Sequence, residues 1–558
     1  MFTFIHTYTP ESWDGLSKHG MFRRGDGLKV MHACERPDWF RFNQMAAVGS
    51  PLEQKLRELR CPFYIDRLQG GVGLPYLYPF DPELLHHYRT LLGDKFWGFQ
   101  MHEWSSNYRS DFGRITELYE KCGTPNPTPA ERHAIFQNVR SGKETLFLEA
   151  LTPHEWSSHR DPVSRAMFLD DIRLLYKTRC RMTGNRLIPA DSYHMAPRIE
   201  IENGAQLLLP EVGWQIPGAR MQIAYTRGMA NAAAIRWGIY YECWCYNQAA
   251  EGLTIPFSLR EGQDEWAEDQ LHKGTGADRT PEDRERGGTS INLQERLWRF
   301  AYHAGATVIG EEYGVCNTFR DYHDYDPSPY GQTKRDFLSY QEQHEDVGTP
   351  FAPIAIVLPA NLPIFDVQLR DNYLDYPGDD PSYPVSNTWT KKLRGTMHTL
   401  LGTDGRGNTG HVLRRGGYPD VFDILHADQE SALSHYDYLI DLTDDPAFAA
   451  AHNNIVSIDA LEGLLDRMLP CRIGGDLQTQ YNRTKDGWEV LVLNNDGVTN
   501  DNFEGDRFDA DAAVTTDIRF CGDHNTCRSL DGTGTVSSDG NRVTLHLAAG
   551  QWLLLGIG

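Results

Sequence analysis

The chain has 558 residues, more than one hydrophobic core can organise, so two to four domains are expected. With 54 Lys and Arg against 77 Asp and Glu, the formal net charge is −23, which argues against nucleic acid as a partner. No apolar run approaches the roughly 18 residues that a spanning helix needs, and the ten cysteines contain no paired CxxC motif, so neither membrane, metal nor other cofactor is expected.

The N-terminal stretch MFTFIHTYTPESWDG lacks a basic segment and a long apolar core. The expectation is a cytoplasmic protein, or a secreted or periplasmic one whose signal was removed. In chain order, strand-like runs occur at FTFIHTY (2–8) or LKVMHA (28–33), PFYIDRL (62–68), FWGFQM (96–101), RLIPADSY (186–193) and AQLLLPEV (205–212). They continue at WGIYYECW (237–244), TVIGEE (307–312) and APIAIVLP (352–359). Helix-like stretches separate them, among them PLEQKLRELR, DPELLHHYRTLL, ARMQIAYTRGMANAAAI and LQERLWRFAYHAG. This alternation means a parallel sheet covered on both faces, and residues 1–358 are expected to form a (β/α)8 TIM barrel with insertions. Residues 359–470 read as a small doubly wound α/β domain. Residues 471–558 switch to period-2 alternation broken by Gly, Asn and Asp turns, which predicts an antiparallel β-sandwich. Within it, Cys521 and Cys527 flank a Gly-Asp-His-Asn turn and could bridge.

In a barrel of this kind the reacting groups sit where the parallel strands end. Those ends carry Asp66 and Arg67; Gln100, His102, Glu103 and Trp104; Asp191 and Tyr193; Glu211 and Trp214; Glu242 and Trp244; and Glu311, Glu312 and Tyr313. The composition also includes 13 Trp and 26 Tyr, whose flat faces suit stacking of sugar rings. Carboxylates gathered with aromatic rings on one rim are what glycosidic bond cleavage needs. One carboxyl group protonates the leaving oxygen, and the other stabilises or captures an oxocarbenium-like carbon.

The segment IGEEYG (309–314) resembles the strand-7 nucleophile segment of retaining (β/α)8 glycoside hydrolases of the clan A type, where a Glu precedes an aromatic residue and a Gly. The three-domain layout resembles the family 42 β-galactosidases and their relatives, and PYGQTKRDFLSYQEQHEDVGTPFAPIAIVLP (329–359) is similar to their join between barrel and α/β domain. The resemblance implies an exo-acting, retaining glycosidase on an oligo- or polysaccharide, without naming a sugar. Aligned on Glu-Tyr-Gly the nucleophile is Glu312; aligned on Ile-Gly-Glu it is Glu311. Glu312 is preferred, because the following aromatic and Gly shape the turn. The resemblance puts the acid/base on strand 4, usually after an Asn. RLIPADSY, counted as the fourth strand, holds no Glu, so Glu211 is preferred, with Glu242, Glu103 and Asp191 as alternatives. That count would require another strand between 250 and 290, such as GLTIPFSL. The remaining strand-end residues would bind substrate.

Two other readings stay open. An inverting or sialidase-like enzyme would centre on Asp66, Arg67, Asp191 and His102, with Arg160, Arg198 and Arg220 available for a substrate carboxylate. A carbohydrate-binding protein without activity would keep the aromatic rim and lack a working carboxylate pair. The α/β domain resembles those that mediate oligomers, which implies a homodimer or homotrimer.

Overall fold

The computed structural model describes residues 2–31, 46–66, 82–102, 183–191, 196–213, 218–242, 245–247, 252–254, 289–312, 318–319, 324–360, 395–402, 417–501, 505–540 and 542–558, together with residues 173, 176, 177, 180, 314 and 413.

Eight parallel strand positions form a barrel. In chain order they are Thr3–Thr7, Gly27–Met31, Phe63–Asp66, Phe96–His102, Leu187–Ala190, a sixth split into Leu207–Leu208 and Glu211–Gly213, then Arg236–Glu242 and Val308–Glu311. Hydrogen bonds join them in the order fifth, fourth, third, second, first, eighth, seventh, sixth. The seam between fifth and sixth is closed by the Glu211 N–H, which donates to the Asp191 carbonyl at 3.0 Å. The sixth strand breaks at Leu209-Pro210, where proline has no N–H for the ladder.

Side chains alternate across the barrel wall. Ile5, Tyr64, Ile188, Leu207, Tyr240 and Val308 pack together inside. Their neighbours Phe4, Phe63, Leu208, Ile239 and Ile309 join the larger core between strands and helices. The helices start at caps legible in the chain. Ser50, Ser290 and Ser328 each accept a backbone N–H from the first turn that follows, and Pro occupies the first helical position of Pro51–Leu59 and Pro329–Gln343.

The run at 352–359 is not a barrel strand. Ile354–Leu358 is the centre of a three-stranded parallel sheet, between Phe422–His426 and Tyr438–Asp441. Five consecutive buried apolar residues look alike in a barrel and in an open parallel sheet, and only the pairing partners separate the two cases. The strand expected in GLTIPFSL does not enter the barrel either, since Gly252–Thr254 pairs antiparallel with Cys245–Asn247. Towards the C-terminus the sheets are antiparallel. One orders Thr349–Pro350, Gln478–Thr484, Gly487–Leu493, Trp552–Ile557 and Cys527–Gly532; the other orders Cys471–Ile473, Val514–Phe520, Arg542–Leu547 and Thr535–Asp539. Cys521 and Cys527 are free thiols. The Cys521 thiol lies 3.8 Å from the Arg519 carbonyl, while Cys527 sits in the other sheet opposite Ile557.

The barrel helix Ala219–Ala233 docks on the three-stranded sheet. Arg220 bonds Asp420 at 2.7 Å, Arg227 bonds Asp423 at 2.6 Å, and the Tyr225 hydroxyl meets His426 Nε2 at 2.7 Å. Gly228 permits the approach, because a Cβ there would lie 2.7 Å from the Ile424 carbonyl oxygen. The helix Ile291–His303 abuts the antiparallel sheets. The Trp552 indole donates to Glu295 at 3.0 Å, and the Asn482 amide donates to the carbonyls of His303 and Val347 at 2.8 and 2.9 Å.

Candidate active site

Strand parity decides which of the rim carboxylates look into the barrel. On the seventh strand Tyr240 faces in and Tyr241 packs outside, so Glu242 faces in. On the sixth Val212 belongs to the outer core, which leaves Glu211 on the inner side. On the eighth Val308 faces in and Ile309 out, and the Glu312 N–H continues the ladder by donating to the Tyr241 carbonyl at 2.9 Å. Glu312 therefore has inward parity and Glu311 outward parity.

The surroundings of Glu311 agree. Its Oε2 accepts from the Lys334 ammonium at 2.6 Å, with both side chains almost wholly buried, and Lys334 also lies 4.9 Å from the centre of the outward-facing Phe4 ring. Lys334 comes from the helix Pro329–Gln343, behind the barrel wall. Glu211, Glu242 and Glu312 are each 1% exposed. Glu211 is level with Tyr240 and Gly213 with Glu242 in the ladder, while Gly310 is also level with Tyr240. The seventh and eighth strands thus bring Glu242 and Glu312 to the same height, with Glu211 one inward position lower.

Beside these carboxylates lies a charged knot. The Lys29 ammonium donates to Asp66 Oδ2 at 2.8 Å, to the Tyr240 hydroxyl at 2.9 Å and to the main-chain oxygen of Glu312 at 3.2 Å. Tyr240 in turn donates to Asp66 Oδ2 at 3.0 Å. Both charges are fully buried, so the pair survives only because each partner neutralises the other and the hydrogen bonds are made. Three strands and the end of a fourth are tied at one point. Beside it, burial first and the Asp66 charge second push the Tyr64 phenol well above its ordinary range, so it stays a donor.

Other predicted site residues fall elsewhere. Asp191 uses its carbonyl to close the seam, receiving the Glu211 N–H. Arg198 is held by Asp428 at 2.7 Å and Arg220 by Asp420 at 2.7 Å, both on the side of the three-stranded sheet, so neither joins a cluster at the rim. Arg67, Glu103, Trp104, Tyr193, Trp214, Trp244 and Tyr313 lie outside the described residues, as do Arg160 and the side chain of His102. By order round the barrel, IGEE is the eighth strand, not the seventh. The seventh ends in Glu242, and the fourth runs out at His102, with Glu103 next in sequence.

Sequence reasoning passed over Lys29, Tyr64, Tyr240 and Lys334. A lysine in the middle of LKVM was the available signal, because a charge at an inner strand position needs a buried partner. Among the described residues no group of three His, Cys, Asp or Glu side chains could hold a metal ion, and no helix is long and apolar enough to cross a membrane. Recesses of about 380 Å3 beside Trp237 and Gly305, and about 520 Å3 beside Trp97 and Arg236, open near the strand starts, away from the carboxylates.

No family model matches the sequence, and no curated protein matches it. Among solved structures the chain is similar to the catalytic module of a family 98 glycoside hydrolase from Streptococcus pneumoniae in complex with the H-disaccharide blood group antigen, at 8% identity and TM-score 0.44 over 99% of this chain and 98% of that one. A β-galactosidase from the Antarctic haloarchaeon Halorubrum lacusprofundi aligns at 9% identity and TM-score 0.38 over 99% of both chains. An exo-β-1,4-mannosidase from an Opitutaceae bacterium aligns at 11% identity and TM-score 0.31 over 93% of this chain and 90% of that one. These neighbours are glycoside hydrolases, and the likeness is one of fold.

Proposed function

We propose that the chain is a glycoside hydrolase, exo-acting and retaining, with Glu312 as nucleophile and Glu211 as acid/base. The observation that carries this reading is the inward parity of Glu211, Glu242 and Glu312 on three consecutive strands, while Lys334 holds Glu311 behind the wall. Glu211 protonates the glycosidic oxygen as Glu312 bonds to the anomeric carbon. Water then attacks that carbon, Glu211 takes its proton, and Glu312 leaves. Glu242 stands between them as a substrate contact. The near-complete burial of all three carboxyls suits a pocket that receives a chain end.

The test is a panel of nitrophenyl glycosides, with NMR of the released anomer. Glu312→Gln should lower kcat on the order of a thousandfold or more. Glu211→Gln should hurt substrates with poor leaving groups most. Wild-type turnover in Glu312→Gln would remove the assignment.

A second reading, inversion, is favoured by one observation: the fourth strand ends at His102 opposite the eighth, and Glu103 follows. Glu103 would then be the proton donor of an inverting pair, with a second carboxylate activating the water. Inverted product and an inactive Glu103→Gln variant would select it.

A further inference from the structure

We infer that Gln100, Tyr64 and Thr7 form a polar subsite inside the barrel that receives the hydroxyl groups of an uncharged sugar ring. This rests on the glycosidase reading and narrows its substrate class.

Gln100 is 0% exposed, yet neither its amide nitrogen nor its amide oxygen has a hydrogen-bond partner among the described residues. The Tyr64 hydroxyl and the Thr7 hydroxyl are equally buried and equally unbonded. Parity turns all three inward. Phe99 and Met101 on either side of Gln100 belong to the outer core, Tyr64 packs in the inner cluster, and Thr7 follows Ile5 by two. Gln100 is next in the ladder after the Ile65–Phe99 pair, which puts it level with Asp66. The Tyr64 hydroxyl ends against Gly310, where a Cβ would lie 3.3 Å away. That glycine precedes Glu312 by two on the same inner face.

Buried polar groups are nearly always bonded, and an amide with both ends empty is costly to keep unless something fills it. The two halves of the barrel differ accordingly. The first, third and fourth strands add neutral donors and acceptors, the charge of Asp66 on the third being neutralised by Lys29, while the sixth, seventh and eighth present carboxylates. A ring rich in hydroxyls matches that division, since each hydroxyl both donates and accepts. A negatively charged sugar does not. The one lysine or arginine among the described residues in the upper barrel interior is Lys29, and its three hydrogens are already taken by Asp66, Tyr240 and Glu312. A uronate or sialate would meet three carboxyls and no available cation from the described strands.

The experiment compares wild type with Gln100→Leu, which keeps the volume and removes the amide, and with Tyr64→Phe. Gln100→Leu should melt at or above the wild-type temperature, because an unbonded buried amide contributes nothing that leucine lacks. Its kcat/KM on the best neutral nitrophenyl glycoside should fall about a hundredfold. The deoxy analogue missing the hydroxyl that Gln100 meets should be slow with wild type and no slower with the variant. A Gln100→Leu enzyme within threefold of wild type on every glycoside, as a site filled by water alone would give, overturns the subsite. So does a wild type that prefers uronides or sialosides.

Melting shifts with free D-glucose, D-galactose and D-mannose separate this inference from the hydrolase reading. A chain that cleaves no glycoside, yet is stabilised by one of these sugars only while Gln100 is present, loses the hydrolase and keeps the subsite. Cleavage that is indifferent to Gln100 does the reverse. A chain that neither cleaves nor is stabilised loses both.

Discussion

Glu311 and Glu312 are neighbours of identical chemistry in opposite surroundings, one behind the barrel wall and one with inward parity. What separates them is a lysine 23 positions further on, whose ammonium sits 2.6 Å from Glu311. Alternation in VIGEE shows that the two must face opposite ways; it cannot say which faces in, because the deciding partner, Lys334, comes from the helix Pro329–Gln343 and not from the strand. The pair predicts a contrast. Glu311→Gln strands a buried ammonium without its carboxylate, and breaking such a pair costs about 3–5 kcal/mol. Urea unfolding should show that loss, while kcat per folded molecule stays within several-fold of wild type. A Glu311→Gln protein of full stability, or one as inactive as Glu312→Gln, would contradict this division of labour. Lys29 is legible in the same partial way. The sequence shows a charge inside a strand but not the Asp66 and Tyr240 that make it tolerable there.

At the scale of the element, most strands and helices were readable because parallel strands are apolar runs and the helices carry Ser caps. Their count was harder to read. FTFIHTY and LKVMHA look like alternatives for one place, and both form strands, which moves RLIPADSY from fourth to fifth and IGEE to eighth. The long stretch between His102 and Leu187 hides the adjacency of the fourth and fifth strands, which only the ladder from Phe99–Leu187 to His102–Ala190 reveals. The helix Ala219–Ala233 offers an element-scale prediction. Glycine in a helix interior is worse than alanine by about 1 kcal/mol, so propensity alone makes Gly228→Ala stabilising. Here the added methyl meets the Ile424 carbonyl, and the buried Arg220–Asp420 and Arg227–Asp423 pairs keep the helix from lifting away. Overpacking should win, with a net loss of about 1–3 kcal/mol by thermal or urea unfolding. A Gly228→Ala protein more stable than wild type would mean that the helix does not hold the three-stranded sheet this closely.

Across the whole molecule, histidines at two junctions set an acid limit. Burial first, then the charges of His344 and Arg299, hold His303 at about 3 where its ring meets the Tyr340 hydroxyl. Burial first, then Arg198, holds His426 at about 4 against Tyr225. Both native values lie below the ordinary 6.5, so between these limits the unfolded chain binds more protons than the folded one. Stability is therefore complete at neutral pH and is lost as pH falls from about 6.5 towards 4 and 3, by roughly 3 kcal/mol for His426 alone. Urea unfolding at pH 7 and pH 4.5 should show the drop, and His426→Gln, which has no ring to protonate, should show less of it. Equal stability at both pH values would refute the assignment.

Among the described residues, the fifth and sixth strands are joined by a single main-chain hydrogen bond, and its donor is the amide of Glu211. Elsewhere round the cylinder, ladders of several residue pairs hold neighbouring strands, interrupted by a register shift between third and fourth and by the Leu209-Pro210 break beside the seventh. Any breathing of the cylinder is concentrated at its weakest join, which means that it displaces a carboxylate assigned to the chemistry. The exchange of that one amide proton with solvent is then a clock for how often the proposed reacting groups fall out of alignment, and a ligand bridging the gap would slow it.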